Sequence, residues 1–198
     1  MDPLVLASGS RTRARMLESA GVAIEIAVPN IDEPELMASL KAAGDDVSRV
    51  AEALAEMKAM RVAPRFPGRF VLGCDQMLEC DGQWLDKAQS RDEARAQLKH
   101  LRGRSHNLVT SAVLVRDGAR IWHATDIAEM RMRDFSDGFL ESYVARAGDE
   151  ILRSVGAYQL EGLGAQLFEK VEGDFFTILG LPLLPVLAIL REHRLVGA

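Results

Sequence analysis

The sequence predicts an α/β fold: a mixed, twisted sheet flanked by helices. Strand-like and helix-like segments alternate in the first part of the chain, whereas hairpin turns dominate later, a pattern that fits a mixed sheet better than a purely doubly wound one. With 198 residues, 48% of them hydrophobic, the chain can bury the core of one domain spanning 1–198, compact or drawn into two lobes around a cleft. Charged residues at 27% and ordinary Gly and Pro content do not indicate disorder.

The elements follow in order. Pro3 to Ala7 reads as a short buried strand, Ser8-Gly9-Ser10 as a turn, and Arg11 to Ala20 as a helix stopped by Gly21. Val22 to Val28 alternates apolar and polar residues as a second strand does, and Pro29 to Pro34 reads as a loop. A long helix is expected over Asp46 to Arg61, with Val50, Leu54 and Met57 as its apolar stripe. Arg69 to Asp75 is a strand, and Asp81-Gly82 marks a hairpin. Ser90-Arg91-Asp92-Glu93 has the form of a capping box, which opens a helix to about Leu101. Asn107 to Val115 is a strand that Asp117-Gly118 turns back into Ile121 to Met132. Asp137 to Ala147 reads as a helix, Glu172-Gly173-Asp174 as a turn, and Leu183 to Arg194 as the closing helix. The apolar stretch Phe175 to Leu190 contains Gly180, Pro182 and Pro185 and is too short for the ~20 residues of a spanning helix; it reads as a buried strand end and a core helix.

Charge and cysteine usage narrow the function classes. The net charge of −5 argues against a protein that grips a nucleic-acid backbone, while allowing a local basic cluster for a small anion. Cys74 and Cys80 match no zinc or redox spacing and read as free, buried thiols of a reducing cytoplasm. The opening Met1-Asp2-Pro3 lacks the basic region of a signal peptide.

Several constellations can carry chemistry. In Leu6 to Arg13 a strand enters a small-residue turn and a helix start, where free N–H groups and the positive helix end favour an anion. Ser8, Ser10 and Thr12 offer hydroxyls there. Arg11 and Arg15 share one helix face and Arg13 lies about 200° round from Arg11, so at least one of the three belongs to the solvated surface. Asp75, in Gly73-Cys74-Asp75-Gln76, is an acid at the end of an apolar strand. Asp32 and Glu33 are adjacent carboxylates suited to a hard cation such as Mg²⁺ or Mn²⁺. Lys58 and Lys87 are candidate phosphate contacts. The four histidines show no metal-ligand spacing, and His106, near Gly103-Arg104, reads as a structural hydrogen-bonding residue.

Taken in order, these segments resemble the Maf family over roughly residues 4 to 190. Leu6 to Arg13 stands in the place of the family's Leu-Ala-Ser-x-Ser-Pro-Arg-Arg, with Arg11 for its proline and Thr12 for its first arginine; its Asp-Glu pair is matched by Asp32 and Glu33, and its Ala-x-x-Lys-Ala by Ala55, Lys58 and Ala59. Gly-Ala-Asp-Thr is matched imperfectly by Gly73 to Gln76, and a lysine before the next helix by Lys87. Leu101, Gly103 and His106 match Leu-x-Gly-x-x-His, with Thr110 beyond. Gly156, Tyr158 and Gly162 match Gly-x-Tyr-x-x-x-Gly, and Gly180-Leu181-Pro182 matches Gly-Leu-Pro.

The resemblance implies a cytoplasmic house-cleaning hydrolase with a cleft, as in the Maf and ITPase-like folds, that takes a nucleoside triphosphate to its monophosphate and pyrophosphate. It further implies a divalent metal (Mg, Mn or Co), frequently a homodimer, and neither a nucleic-acid nor a membrane partner. The catalytic base falls on Asp75, metal binding on Glu33 with Asp75, and phosphate binding on Ser8, Ser10, Arg13, Lys58 and Lys87. The family name is also tied to arrest of septum formation, so a nucleotide-binding regulator without catalysis is the alternative. Gln76 and Glu161 resemble the branch acting on 7-methyl-GTP, where a carboxylate can accept from a guanine N1–H and amino group. Thr12 stands where that branch usually has tryptophan, which removes a stacking partner worth ~1–3 kcal/mol per base. A purine-leaning or relaxed substrate range is the expectation.

Overall fold

The computed structural model describes residues 2–197; Met1 of the opening segment lies outside them. Seven strands form one sheet: β1 (Leu4–Ala7), β2 (Ile24–Ile26), β3 (Phe70–Cys80), β4 (Gln83–Leu85), β5 (Ser105–Arg116), β6 (Ala119–Met132) and β7 (Phe168–Glu172). Their order is β2-β1-β3-β5-β6-β7, with β4 paired to β3. β1 runs parallel to β2 and β3, whereas β3–β4 and β6–β7 are antiparallel, so the sheet is mixed as the sequence predicts. The helices are α1 (Arg11–Ser19), α2 (Glu33–Ala42), α3 (Val47–Val62), α4 (Arg91–Leu101), α5 (Asp137–Ala147), α6 (Phe175–Ile178) and α7 (Leu183–Glu192). Residues group into two compact units. The first holds the chain up to Gln76, Thr110–Asp126 and the chain from Phe175 onward; the second holds Met77–Val109 and Ile127–Asp174.

In the first unit β1 is buried at every residue, and successive side chains leave opposite faces. Leu4 and Leu6 pack with Ala14, Met16 and Leu17 of α1 and with Leu183, Val186, Ile189 and Leu190 of α7. Val5 and Ala7 pack with Ala55, Ala59 and Val62 of α3. A strand apolar on both faces thus demands helices on both sides, which is why it reads as a continuous apolar run rather than an alternating one. Each fully buried leucine contributes about 1.5–3 kcal/mol relative to exposure. Ser10 caps α1 by accepting from the Arg13 N–H, and Gly21, at φ +78°, turns the chain off its end.

The second unit is built on tight turns and capped helices. Asp81 and Gly82 adopt φ of 51° and 78°, the left-handed pair of a type I′ turn, and join β3 to β4. The Ser90 side chain accepts from the Glu93 N–H to open α4. Glu93 reaches back one residue further than a standard capping box, to the Gln89 N–H at 2.8 Å. Leu98, Leu101, Leu108, Met130, Met132, Leu140 and Val144 are buried.

Several expectations are corrected. The segment read as a loop ends at the start of a helix: Asp32 caps α2, Glu33 is its first residue, and Pro34 fits the first turn, where a missing N–H costs nothing. No residue of α2 is buried, so there was no apolar stripe to announce it. β2 covers only Ile24–Ile26 of the expected 22–28, because it pairs with the four-residue β1. β3 continues past Asp75 to Cys80 as its later residues pair with β4, so Asp75 lies within a strand and not at its end. Met57 is exposed; the buried face of α3 carries Ala51, Ala55, Lys58 and Ala59 beside Val50 and Leu54. Phe175–Ile178 is a helical turn instead of a strand end. β7 carried no strand signal strong enough to be read, having three charged residues in five.

Candidate active site

The turn between β1 and α1 holds itself together with its own hydroxyls. Ser8 is buried, and its Oγ accepts from the Ser10 N–H at 3.2 Å and from Arg13 Nη1 at 3.3 Å. Ser10 Oγ accepts from the Arg13 N–H at 3.3 Å. Both hydroxyls therefore keep their O–H free to donate. Arg13 points inward: its Nε donates to the Gly180 carbonyl at 2.6 Å and its Nη1 to the Cys74 carbonyl at 2.9 Å. Arg11 and Arg15, on one face of α1, are both exposed, and Thr12 is half-buried.

The centre of this unit is an ion triad. Lys58 Nζ donates to Asp75 Oδ1 at 2.5 Å and to Glu33 Oε2 at 2.9 Å. The Lys58 and Asp75 side chains are 9% and 8% exposed, against 45% for Glu33, so a buried pair opens to solvent on one carboxylate. Gly73 explains the arrangement. A Cβ at Gly73 would lie 2.0 Å from the Ala55 carbonyl oxygen and 2.9 Å from the Ala59 nitrogen. Only glycine lets α3 lie this close to β3, and small Ala55 and Ala59 complete the contact. Lys58, between them on the helix, is thereby delivered to Asp75, two residues beyond Gly73. Cys74 lies between Gly73 and Asp75 in this packed segment. Burial pushes its thiol up to about 11 despite the opposing Arg13 and Lys58 charges, so it stays protonated and inert.

Residues 3–193 match the family described as Maf-like protein. The chain belongs to the Maf family. Relatives share nearly their whole length with it. "Nucleoside triphosphate pyrophosphatase" of Paramagnetospirillum magneticum is 55% identical over 189 residues, covering 96% of this chain and 97% of the relative. The protein of the same name from Rhodospirillum rubrum is 50% identical over 193 residues, covering 98% and 96%. "7-methyl-GTP pyrophosphatase" of Brucella abortus is 47% identical over 191 residues, covering 96% of each.

The remaining motif positions of this Maf chain divide between the units. Gln76 is in the first, and its Nε2 is committed to the protein: it meets Thr110 Oγ1 at 3.0 Å and the carbonyls of Thr177 and Ile178 at 3.0 and 3.1 Å. Thr110 Oγ1 itself donates to the Thr177 carbonyl at 2.9 Å. Gln76 thus ties β3 and β5 to the C-terminal end of α6. Lys87 and Glu161 lie in the second unit, both exposed. Lys87 forms a backbone bridge with Val155. Glu161 stands in a turn closed by the Gly162 N–H donating to the Gln159 carbonyl at 3.2 Å.

Sequence reasoning missed Thr177, whose Oγ1 donates to Asp126 Oδ2 at 2.7 Å and whose carbonyl receives Gln76 and Thr110. Nothing in the spacing of Asp126 signals that contact. Gly180, in Gly-Leu-Pro, was visible as a motif but not as the anchor of Arg13: a Cβ there would sit 3.5 Å from the guanidinium.

The donor set fits a hard divalent cation. Glu33 and Asp75 reach one common point, now held by the Lys58 ammonium. Mg²⁺-like ions take one or two protein carboxylates and complete their shell with water and phosphate oxygens. Among the described residues there is no group of three or more His, Cys, Asp and Glu side chains placed as a metal site.

Proposed function

We propose that this chain is a nucleoside triphosphate pyrophosphatase that hydrolyses the α–β phosphoanhydride to a monophosphate and pyrophosphate. The observation that carries the reading is the Glu33–Lys58–Asp75 triad backed by the hydroxyl turn at Ser8 and Ser10. The names of relatives at 47–55% identity over almost the whole chain support the same activity.

In this reading residues 1–198 act as one functional domain. The Ser8 and Ser10 hydroxyls, the free edge of Arg13 and the ammonium groups of Lys58 and Lys87 bind the triphosphate oxygens, Lys58 yielding the point between Glu33 and Asp75 to the cation. Asp75 orients a water against the α-phosphorus and takes its proton as the new P–O bond forms. The bond from that phosphorus to the bridging oxygen breaks, and pyrophosphate leaves with the electron pair. A divalent cation (Mg, Mn or Co) held by Glu33 and Asp75 would supply charge neutralisation on the phosphates. Positive charge is local, which is how a chain of net charge −5 accommodates a polyanion. Glu161 selects the base, accepting from the N1–H and amino group of a guanine, and Thr12 leaves the base without an aromatic stacking partner. Gln76, tied to Thr110 and the α6 turn, is a further specificity residue in this reading. The setting is the reducing cytoplasm, with a homodimer as the assembly. No described helix is long and apolar enough to cross a membrane.

The decisive experiment is pyrophosphate release from a panel of standard and modified nucleoside triphosphates with Mg²⁺, Mn²⁺ or Co²⁺. Wild type should turn over with a guanine-type or broad preference, and Asp75→Asn should lose at least a hundredfold in kcat, in line with general-base contributions of about 10²–10⁴. Nucleotide binding without turnover in the folded wild type would instead leave a non-catalytic regulator of septum formation.

A further inference from the structure

The second unit contains a buried polar pair that the chemistry above does not use. His106 and Tyr158 are 2% and 4% exposed, and His106 Nε2 lies 2.7 Å from the Tyr158 hydroxyl. Tyr158 packs edge-on against Phe168, with ring centroids 4.8 Å apart. Burial lowers the imidazole to about 4, so this is a neutral hydrogen bond at physiological pH. His106 Nδ1 has no partner among the described residues, so the pair is held at the cost of an unsatisfied atom.

The segment that Tyr158 anchors is the one that carries Glu161. It starts at Val155, bridged to the backbone of Lys87. Gly156 follows at φ +74°, where a Cβ would meet Leu78 and the Tyr158 ring at 2.6 Å. The Tyr143 hydroxyl donates to the Ala157 carbonyl at 3.1 Å. The turn Gln159–Gly162 then exposes Glu161, and Gly164 closes it, since a Cβ there would lie 2.4 Å from the Gln159 carbonyl oxygen. Each end of an exposed turn is therefore fixed by buried groups, and Tyr158 to His106 is a side-chain hydrogen bond that ties the turn's entry to strand β5.

We infer that the His106–Tyr158 hydrogen bond is a positioning element for substrate selection: it fixes the Gln159–Gly162 turn so that Glu161 is presented at a set place relative to Lys87. The inference rests on Glu161 reading the base, as proposed above.

The test compares wild type, Glu161→Gln, Tyr158→Phe and the double variant Tyr158→Phe/His106→Leu, each shown folded by its melting curve. For each, kcat and KM are measured with a guanine and a pyrimidine triphosphate. Glu161→Gln should lower the ratio of kcat/KM between the two nucleotides. Tyr158→Phe should raise KM for the preferred nucleotide about five- to tenfold, lower the same ratio, and leave kcat within twofold. The double variant removes both polar partners, so it should regain thermal stability yet still discriminate poorly, which separates positioning from a general loss of stability. Unchanged discrimination in Tyr158→Phe, with discrimination lost in Glu161→Gln, overturns the inference alone. Unchanged discrimination in Glu161→Gln overturns the base-reading role and this inference with it, and leaves pyrophosphate release by Asp75 standing.

Discussion

At the scale of single residues, burial decides what each charge is worth. Lys58 and Asp75 are both nearly buried, so removing the lysine strands an uncompensated carboxylate. Lys58→Met should cost about 3–5 kcal/mol in urea unfolding, the range for breaking one side of a buried pair. Glu33 is half-exposed, and Glu33→Gln should cost less than about 1 kcal/mol. A large stability loss in Glu33→Gln would contradict the assignment of the buried partner. His106 supplies a pH prediction. Its imidazole titrates near 4 in the fold because burial disfavours the charged form, against 6.5 when unperturbed. The unfolded chain therefore binds the proton first. This contribution is fully present above pH 6.5 and is lost as pH falls toward 4, by about 3 kcal/mol at 1.36 kcal/mol per unit. His106→Gln, which keeps a polar group and cannot titrate there, should flatten the dependence of melting temperature on pH in that window.

At the scale of elements, the close approach of α3 to β3 is what brings Lys58 of the helix to Asp75 of the strand. Gly73→Ala places a methyl group against the backbone of α3 at Ala55 and Ala59, with nothing flexible to yield. Overpacking of this kind typically costs about 1–3 kcal/mol, and here the helix must also shift and carry Lys58 away from Asp75. Pyrophosphate release should fall at least tenfold in protein that still melts cooperatively; wild-type kcat would show that the contact is not what sets the triad. Most elements were readable because their signals are local. Asp81-Gly82, Asp117-Gly118, the Ser90 cap and the Gly21 stop each act within a few residues. α2 was not readable as a helix, because its ten residues bury nothing and its only markers are Asp32 and Pro34 at one end. The length of β3 was misread because its second half is a strand only through pairing with β4.

At the scale of the whole molecule, the sequence carried the fold class and the family. A buried four-residue strand apolar on both faces required helices on both sides, and the first unit has them. The ordered motifs extend through both compact units, and the family match covers residues 3–193 accordingly. The residue types at the site were also legible: paired carboxylates, lysines, and a hydroxyl-rich turn before a helix. What they do to one another was not. Lys58 read as a candidate phosphate contact, and Gln76 as a specificity position. Only the folded chain buries the first between two carboxylates and spends the amide nitrogen of the second on Thr110 and the α6 turn. The physical reason is range. Caps, turns and alternation are fixed by neighbours in the chain. The ion triad joins residues 17 and 25 positions apart, and the His106–Tyr158 bond joins residues 52 apart, so each exists only once the sheet has brought its strands together.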